Sequence, residues 1–509
     1  MGILAVYDTT SIQNYIFSSN QLAENVGGSK LVADIFHNVF SKVLRKIEPE
    51  MPEWRDGGKL NPALQAAIIY QGGGNAYAAF ADYNTFQDAT KDFLIEANET
   101  APGIGIAVAA VETNFVDYRS DFEILNKRLT SVKGGFNTPA FAGNQPITKQ
   151  SERTGLPVVT REDDEFLDES QVKKRARYRK YCQEERKSEL KDFNELAFEK
   201  NVDSLIAIVH ADGNSIGTRI KEFMEQEQLG SYTEAVPKMR KLSQAIDACY
   251  ETALKDTIDA FESAYAGYIA ALRAENPGKI YNDKSPILEL IRDGDDITFV
   301  IGGRFAIDFA TRLLREIERQ PDPFGNGNAP YACAGVVIFH SHYPFSEAYK
   351  LAEELCASAK KSSRDCAGSY IDFHLHQSGN VAGLQRLRER QYMVDRKTIL
   401  RRPWRITAGS ENARPNFKWF EGNARAITKM LRNSKIARNK IKAVRNEIGA
   451  GDGAAKLAIN QLRDARLPTF PPLQEDGDRS KYAALFDILE LYDTYENLLN
   501  KEDAANGNE

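Results

Sequence analysis

The chain lacks any apolar run long enough to span a bilayer, and no secretory leader is expected, because MGILAVYDTT reads as a short strand with an acid close behind it. Both absences argue against a membrane protein and predict a cytoplasmic one. Cysteine is scarce, with five in 509 residues. Cys182, Cys249, Cys333, Cys356 and Cys366 show no CxxC spacing and no even pairing pattern, so neither a zinc ribbon nor a disulfide framework is supported. Histidine is scarcer in use than in number. His340 with His342 and His374 with His376 are spaced to share a strand face, but no nearby cysteine or acidic cluster completes a zinc site. The net charge of −6 argues against a whole-surface attraction to nucleic acid and leaves room for a local basic face.

The most informative stretch is RDGDDITFV, where Asp293, Gly294, Asp295 and Asp296 lie between two strand-like runs, PILELI and ITFVIGG. Adjacent carboxylates on a tight turn repel and raise one another's pKa. A bound cation explains such a turn; a solvated Asp-Gly hairpin is the plain alternative. Upstream, VDSLIAIVHADGNSIG is an apolar strand ending in Asp212, Gly213 and Asn214 before a helical pattern opens. A carboxylate at a strand's C-terminal end, followed by a glycine that lets backbone approach a ligand, is where α/β sheets place their chemistry. Asp212 is therefore the expected partner of Asp295 and Asp296, and His210 is expected beside them. EAYKLAEELCASAKKSS reads as an amphipathic helix ending in Lys360 and Lys361, suited either to a triphosphate or simply to the helix dipole.

Taken in order, these parts resemble a known family: strand with DGN, long helix, GGDD-like hairpin, strand, and helix ending Ala-Lys. They are similar to the palm domain of the nucleotidyl-cyclase superfamily that includes the GGDEF diguanylate cyclases, and most of all to the polymerase/cyclase-like large subunit of type III CRISPR effectors. SIQNYIFSSNQLAENVGGSKLV resembles the opening of that family's first, degenerate palm. One departure stands at the turn, where Asp293 replaces the family's first glycine. The resemblance implies an α+β fold with two ferredoxin-like palms and a C-terminal helical domain. The first palm is expected over residues 1–145, a charged linker or helical insert over 146–200, the catalytic palm over 201–380, and the helical domain with a disordered tail over 381–509. Because the chain opens on the palm strand, the HD phosphohydrolase domain of many relatives is expected to be missing.

The first palm carries the hairpin AIIYQGGGNAYAAFA, whose turn, Gly72 to Asn75, has no carboxylates and is read as noncatalytic. In ENVGGSK, Gly27, Gly28 and Ser29 either present backbone N–H groups to a phosphate or merely break two helices, with Ser29 as a cap. Ser151 and Thr154 stand where relatives often carry a cysteine-rich zinc module. SERTGLPVVTREDDEFLDES reads as an acidic loop, and KKRARYRK as a charged helix whose face is solvated or touches nucleic acid. Beyond residue 381 the pattern is all-helical, with basic stretches and RRPW (Arg401 to Trp404) ahead of a polar linker.

The resemblance further implies nucleotidyl transfer with two Mg²⁺ or Mn²⁺ ions on Asp212, Asp295, Asp296 and the Gly213 carbonyl. Lys360, Asn214, Ser215, Gly28, Ser29, Gly73 and Gly74 are the implied nucleotide-binding residues. ATP is the expected substrate and a cyclic oligoadenylate for antiviral defence the expected product. Expected partners are nucleoside triphosphates, RNA or effector subunits, and further copies of the chain. Three readings remain open at this point: a self-sufficient signal synthase, an RNA-guided effector subunit, and a nucleotide-binding scaffold without turnover.

Overall fold

A computed structural model describes residues 1–47, 65–72, 74–135, 147–186, 190–198, 204–377, 383–407, 416–432, 437–464 and 479–499. Strand β1 (Gly2–Thr10) is apolar on both faces, so it takes a central position in the first sheet. The hairpin of β2 (Ala66–Gly72) and β3 (Asn75–Phe80) pairs on one side of it and β4 (Gly105–Thr113) on the other, all antiparallel. Helix α1 (Leu22–Asp34) follows β1, α2 (Tyr83–Thr100) follows β3, and α3 (Tyr118–Gly135) follows β4. The order β2-β3-β1-β4 is that of a ferredoxin-like palm.

After helix α4 (Glu169–Tyr181) the plan repeats. Strands β5 (Leu205–Gly213), β6 (Ile287–Asp293), β7 (Asp296–Gly302) and β8 (Ala332–His340) stand in the order β6-β7-β5-β8. Helices α5 (Ile216–Gln226) and α6 (Tyr232–Glu275) lie between β5 and β6, α7 (Ala306–Arg319) between β7 and β8, and α8 (Phe345–Asp365) after β8. Strand β9 (Tyr370–Leu375) then runs parallel to β8, and β10 (Trp404–Arg405) extends that edge. Among the described residues four C-terminal helices follow: α9 (Phe417–Arg432), α10 (Arg438–Ala450), α11 (Asp452–Asp464) and α12 (Ala483–Leu491).

Apolar residues from both sheets, among them Ile3, Tyr7, Ile208 and Val337, share one core. Phe17 of the first palm packs on Tyr349 of the second at 4.4 Å between ring centroids. The first turns of α6 are buried against the first palm through Val236 and Met239, and the rest of α6 against the second through Tyr250 and Phe261. One helix therefore spans both palms, which fixes the space between them.

Three local expectations are corrected and one is borne out in part. ENVGGSK lies inside the continuous helix α1, so no helix end exists there to receive a phosphate on Gly28, and Ser29 caps nothing. The glycines serve close packing: a Cβ on Gly27 would overlap the Lys174 carbonyl of α4. The basic run of α4 keeps a solvated face at Lys173, Arg179 and Lys180, while its other face is packed: Arg175 pairs with Glu24 at 2.8 Å, Arg177 pairs with Asp34 at 2.6 Å, and Lys174 is buried. The acidic loop holds a short hairpin, Thr160–Glu162 with Glu165–Leu167, because Asp163 and Asp164 accept positive φ at its turn. The region beyond residue 381 is not all-helical. Trp404 is buried, its indole donates to Asp487 at 2.8 Å, and its strand joins the palm sheet. The expected tail after residue 499 lies outside the described residues.

Ser151 and Thr154 are closed by hydrogen bonds, Ser151 to Gln171 at 2.8 Å and Thr154 to Asp168. Among the described residues no helix is long and apolar enough to cross a membrane.

Candidate active site between the palms

The chemistry gathers where β5, the β6–β7 turn and α8 meet. Asp212 and Asp296 are direct cross-strand partners in the β5–β7 register, which brings two acids to one end of the sheet. The turn needs glycine only at Gly294, with φ 60°. Asp293 is the last residue of β6 and pairs with Asp296, so its replacement of a glycine leaves the hairpin intact. Asp295 occupies the turn beside Gly213, where an added Cβ would stand 2.8 Å from Asp295 Oδ2 and would also strike the Tyr250 hydroxyl. Lys360 of α8 is ion-paired with Asp212.

Electrostatics confirm that the acids are held against their preference for separation. Burial, then the Asp212 charge, pushes Asp295 up to about 8 and Asp296 up to about 7. Asp296 keeps 41% of its side chain open, so its burial is that of a group on the floor of a cavity. His210 Nδ1 stands 3.3 Å from Asp296 Oδ1 and 3.0 Å from the Thr298 hydroxyl, and burial holds its pKa down. The expected neighbour is thus in place.

Two cavities flank this turn. One of about 700 Å³ has apolar walls from α5 and α6, including Ile220, Met224, Leu242 and Ile246, and a facing wall of Tyr70 and Tyr77 from the first palm. The other, of about 490 Å³, reverses the arrangement: Ile12, Ile16, Ala33 and Phe36 of the first palm face Glu289 and the acidic turn of the second. Gly294 and Asp295 border both. Each volume suits a drug-sized or nucleotide-sized ligand.

The remaining expected site residues divide. Gly74 lines the smaller cavity at φ 71°, and a Cβ there would approach Asp293 Oδ2 and the Thr9 hydroxyl at 3.1 Å. Ser29 lines the same cavity and donates to the Leu290 carbonyl. Asn214 is committed elsewhere, donating to Ser363 at 2.8 Å and to the Gly368 carbonyl at 3.1 Å. It thereby fastens β5 to the end of the helix that carries Lys360. Ser215 is exposed, in left-handed conformation at the start of α5. Gly28 lines neither cavity, and Gly73 lies outside the described residues. Lys361 is exposed and makes no part of the cluster.

Several residues escaped the sequence reading. Tyr250 and Tyr349 stand beside the acids, and Gln13 of the first palm bonds Glu353 on α8. The first palm also keeps half of the constellation. Asp8 on β1 is opposite Asn75, as Asp212 is opposite Asp296, and it pairs with Lys133 late in α3 at 2.7 Å, as Asp212 pairs with Lys360 late in α8. Ser11 and Ser215 follow their acids at equal spacing, and both take left-handed φ, 55° and 58°. The repeated pentapeptides DTTSI and DGNSI carried this signal.

Residues 205–367 match a protein family described as Cas10/Cmr2, second palm domain. The chain is similar to Cas10-type large subunits of type III CRISPR effectors. Among solved structures, a Csm1–Csm4 cassette in complex with cA4 matches at a TM-score of 0.52 and 12% identity, covering 97% of this chain and 69% of that one. A Csm1–Csm4 cassette in complex with pppApA matches at 0.52 and 13%, with the same coverage. Csm1 of T. onnurineus matches at 0.52 and 15%, covering 96% and 69%. Identities this low show a shared fold, two palms and a helical domain of the Cas10 kind. No curated protein matches the chain.

Proposed function

We propose that the chain is a metal-dependent nucleotidyltransferase that joins ATP into a cyclic oligoadenylate signal. The observation that carries this reading is the acidic turn, where Asp295 borders both interpalm cavities while Asp212 and Asp296 face each other across β5 and β7. Two triphosphates seated one per cavity have their reacting ends at the same carboxylates.

The donor set fits Mg²⁺ or Mn²⁺. It is all carboxylate oxygen, and burial followed by the Asp212 charge raises the pKa values of Asp295 and Asp296, a penalty that a cation would relieve. Among the described residues no three His, Cys, Asp or Glu side chains are placed to hold a metal ion together. The metal reading therefore relies on one or two carboxylates per ion with substrate phosphates completing the shell, as is ordinary for Mg²⁺. When bound, two such ions supply a lowered pKa for the attacking ribose hydroxyl and neutralise the departing pyrophosphate. Asp212, Asp295 and Asp296 would hold them. Gly213 lets Asp295 and Tyr250 close on the backbone, and Lys360 offers its ammonium to the β- and γ-phosphates. The apolar cavity walls take the bases and exclude water.

A first test incubates the purified chain with Mg²⁺ or Mn²⁺ and each labelled nucleoside triphosphate, with products identified by chromatography and mass spectrometry. A cyclic oligoadenylate released with pyrophosphate is the expected product. A second reading, an effector subunit active only with RNA and partners, is favoured by the cassette form of the matched structures. Product that appears only on adding guide and target RNA with partner subunits selects it. Absence of product under both conditions overturns the enzymatic reading in favour of a nucleotide-binding scaffold.

A further inference from the structure

We infer that Tyr250 is a positioning residue of the acidic centre, donating its hydroxyl proton to Asp295 when that carboxylate takes up a divalent cation. The inference rests on the metal-dependent reading above. Tyr250 projects from the middle of α6 and is 1% exposed, and its hydroxyl has no hydrogen-bond partner among the described residues. Buried tyrosine hydroxyls are ordinarily paired, so an orphan one beside a reaction centre points to a partner acquired in another state.

Its surroundings name that partner. A Cβ on Gly213 would meet both the Tyr250 hydroxyl and the Asp295 carboxylate, so the two groups flank the same glycine. Asp295 is the acid acting most strongly on Tyr250, and as a metal-bound carboxylate it can only accept from the phenol. In the described geometry Asp295 is engaged with Asp212 instead. A cation taken up between the acids replaces that bond and leaves an Asp295 oxygen for the phenol. Hydrogen bonds of this outer kind orient metal ligands, and their loss typically costs 10–100-fold in metal affinity.

The test uses the full, nucleotide-free chain and Mn²⁺ alone, titrated by electron paramagnetic resonance. Tyr250→Phe removes only the oxygen and is expected to weaken Mn²⁺ binding at least about tenfold and to alter the spectrum of the bound ion. Tyr265→Phe serves as the comparison. It removes a buried hydroxyl bonded to the Asn282 carbonyl at 2.7 Å and is expected to lower the urea midpoint while leaving Mn²⁺ binding unchanged. Equal affinity and an equal spectrum in Tyr250→Phe and wild type would overturn the inference. So would a loss of binding that only tracks an unfolded fraction measured by circular dichroism in the same samples. Wild-type binding no tighter than that of Asp295→Asn would overturn the metal reading, and this inference with it.

Discussion

Asp295 and Asp296 are acids kept where their charge is opposed, and two predictions follow from that at the scale of single residues. Asp295→Ala combined with Asp296→Ala should abolish nucleotide joining while the circular dichroism spectrum stays that of the wild type, because turn acids contribute little to stability. Full turnover in the double variant would remove both from the centre. Their raised pKa values also set a pH dependence in metal-free protein. In the unfolded chain both ionise near pH 4, about the ordinary value, whereas in the folded chain they keep their protons up to about 7 and 8. The folded state therefore binds more protons across that window, and stability falls as pH rises from about 4 to about 8, then levels. A loss of about 1–2 kcal/mol is expected in urea midpoints, the full linkage value being cut by solvent in the cavity. The double Asn variant should lack this slope. These acids were legible because DGDD and DGN put them at strand ends. Tyr250 was not, since an aromatic residue inside a long amphipathic helix reads as core, and only the fold brings it to Gly213.

Elements explain where the reading of ENVGGSK failed. Glycine pairs predict a helix end here, whether as a break or as a phosphate site, yet α1 passes through them because α4 packs so closely that only glycine fits at Gly27. Propensity argued for a break, and tertiary contact overrode it. Gly27→Ala should accordingly destabilise by about 1–3 kcal/mol through forced separation of the two helices. Gly134→Ala, in the last turn of α3 with open space around it, should stabilise by about 0.5–1 kcal/mol. Urea unfolding of the two variants, read side by side, checks both signs. The strands and hairpins of the palms were legible, since continuous apolar runs bounded by glycine are unambiguous. The β10 edge was not, because a two-residue strand has no period and its partner lies far back in sequence.

For the molecule as a whole, the joint between the second palm and the C-terminal helices is a buried polar knot. Arg402 pairs with Glu490 at 2.6 Å, and Asp487 accepts from the Arg402 backbone N–H and the Trp404 indole, each at 2.8 Å. Burial still pushes Asp487 up to about 6. Asp487→Ala strands these donors and should cost about 3–5 kcal/mol, measured by urea unfolding. An intact midpoint would mean that the knot is incidental. The paired palms carry a different consequence, drawn from Asp8 and Lys133. That ion pair copies Asp212 and Lys360 in fold position, but it stands opposite Asn75 instead of a second acid. The chain thus contains its own internal reference. In a spectrum of lysine ammonium groups, salt and temperature act on Lys133 and Lys360 together, whereas divalent ions seated on the acidic turn should shift Lys360 alone.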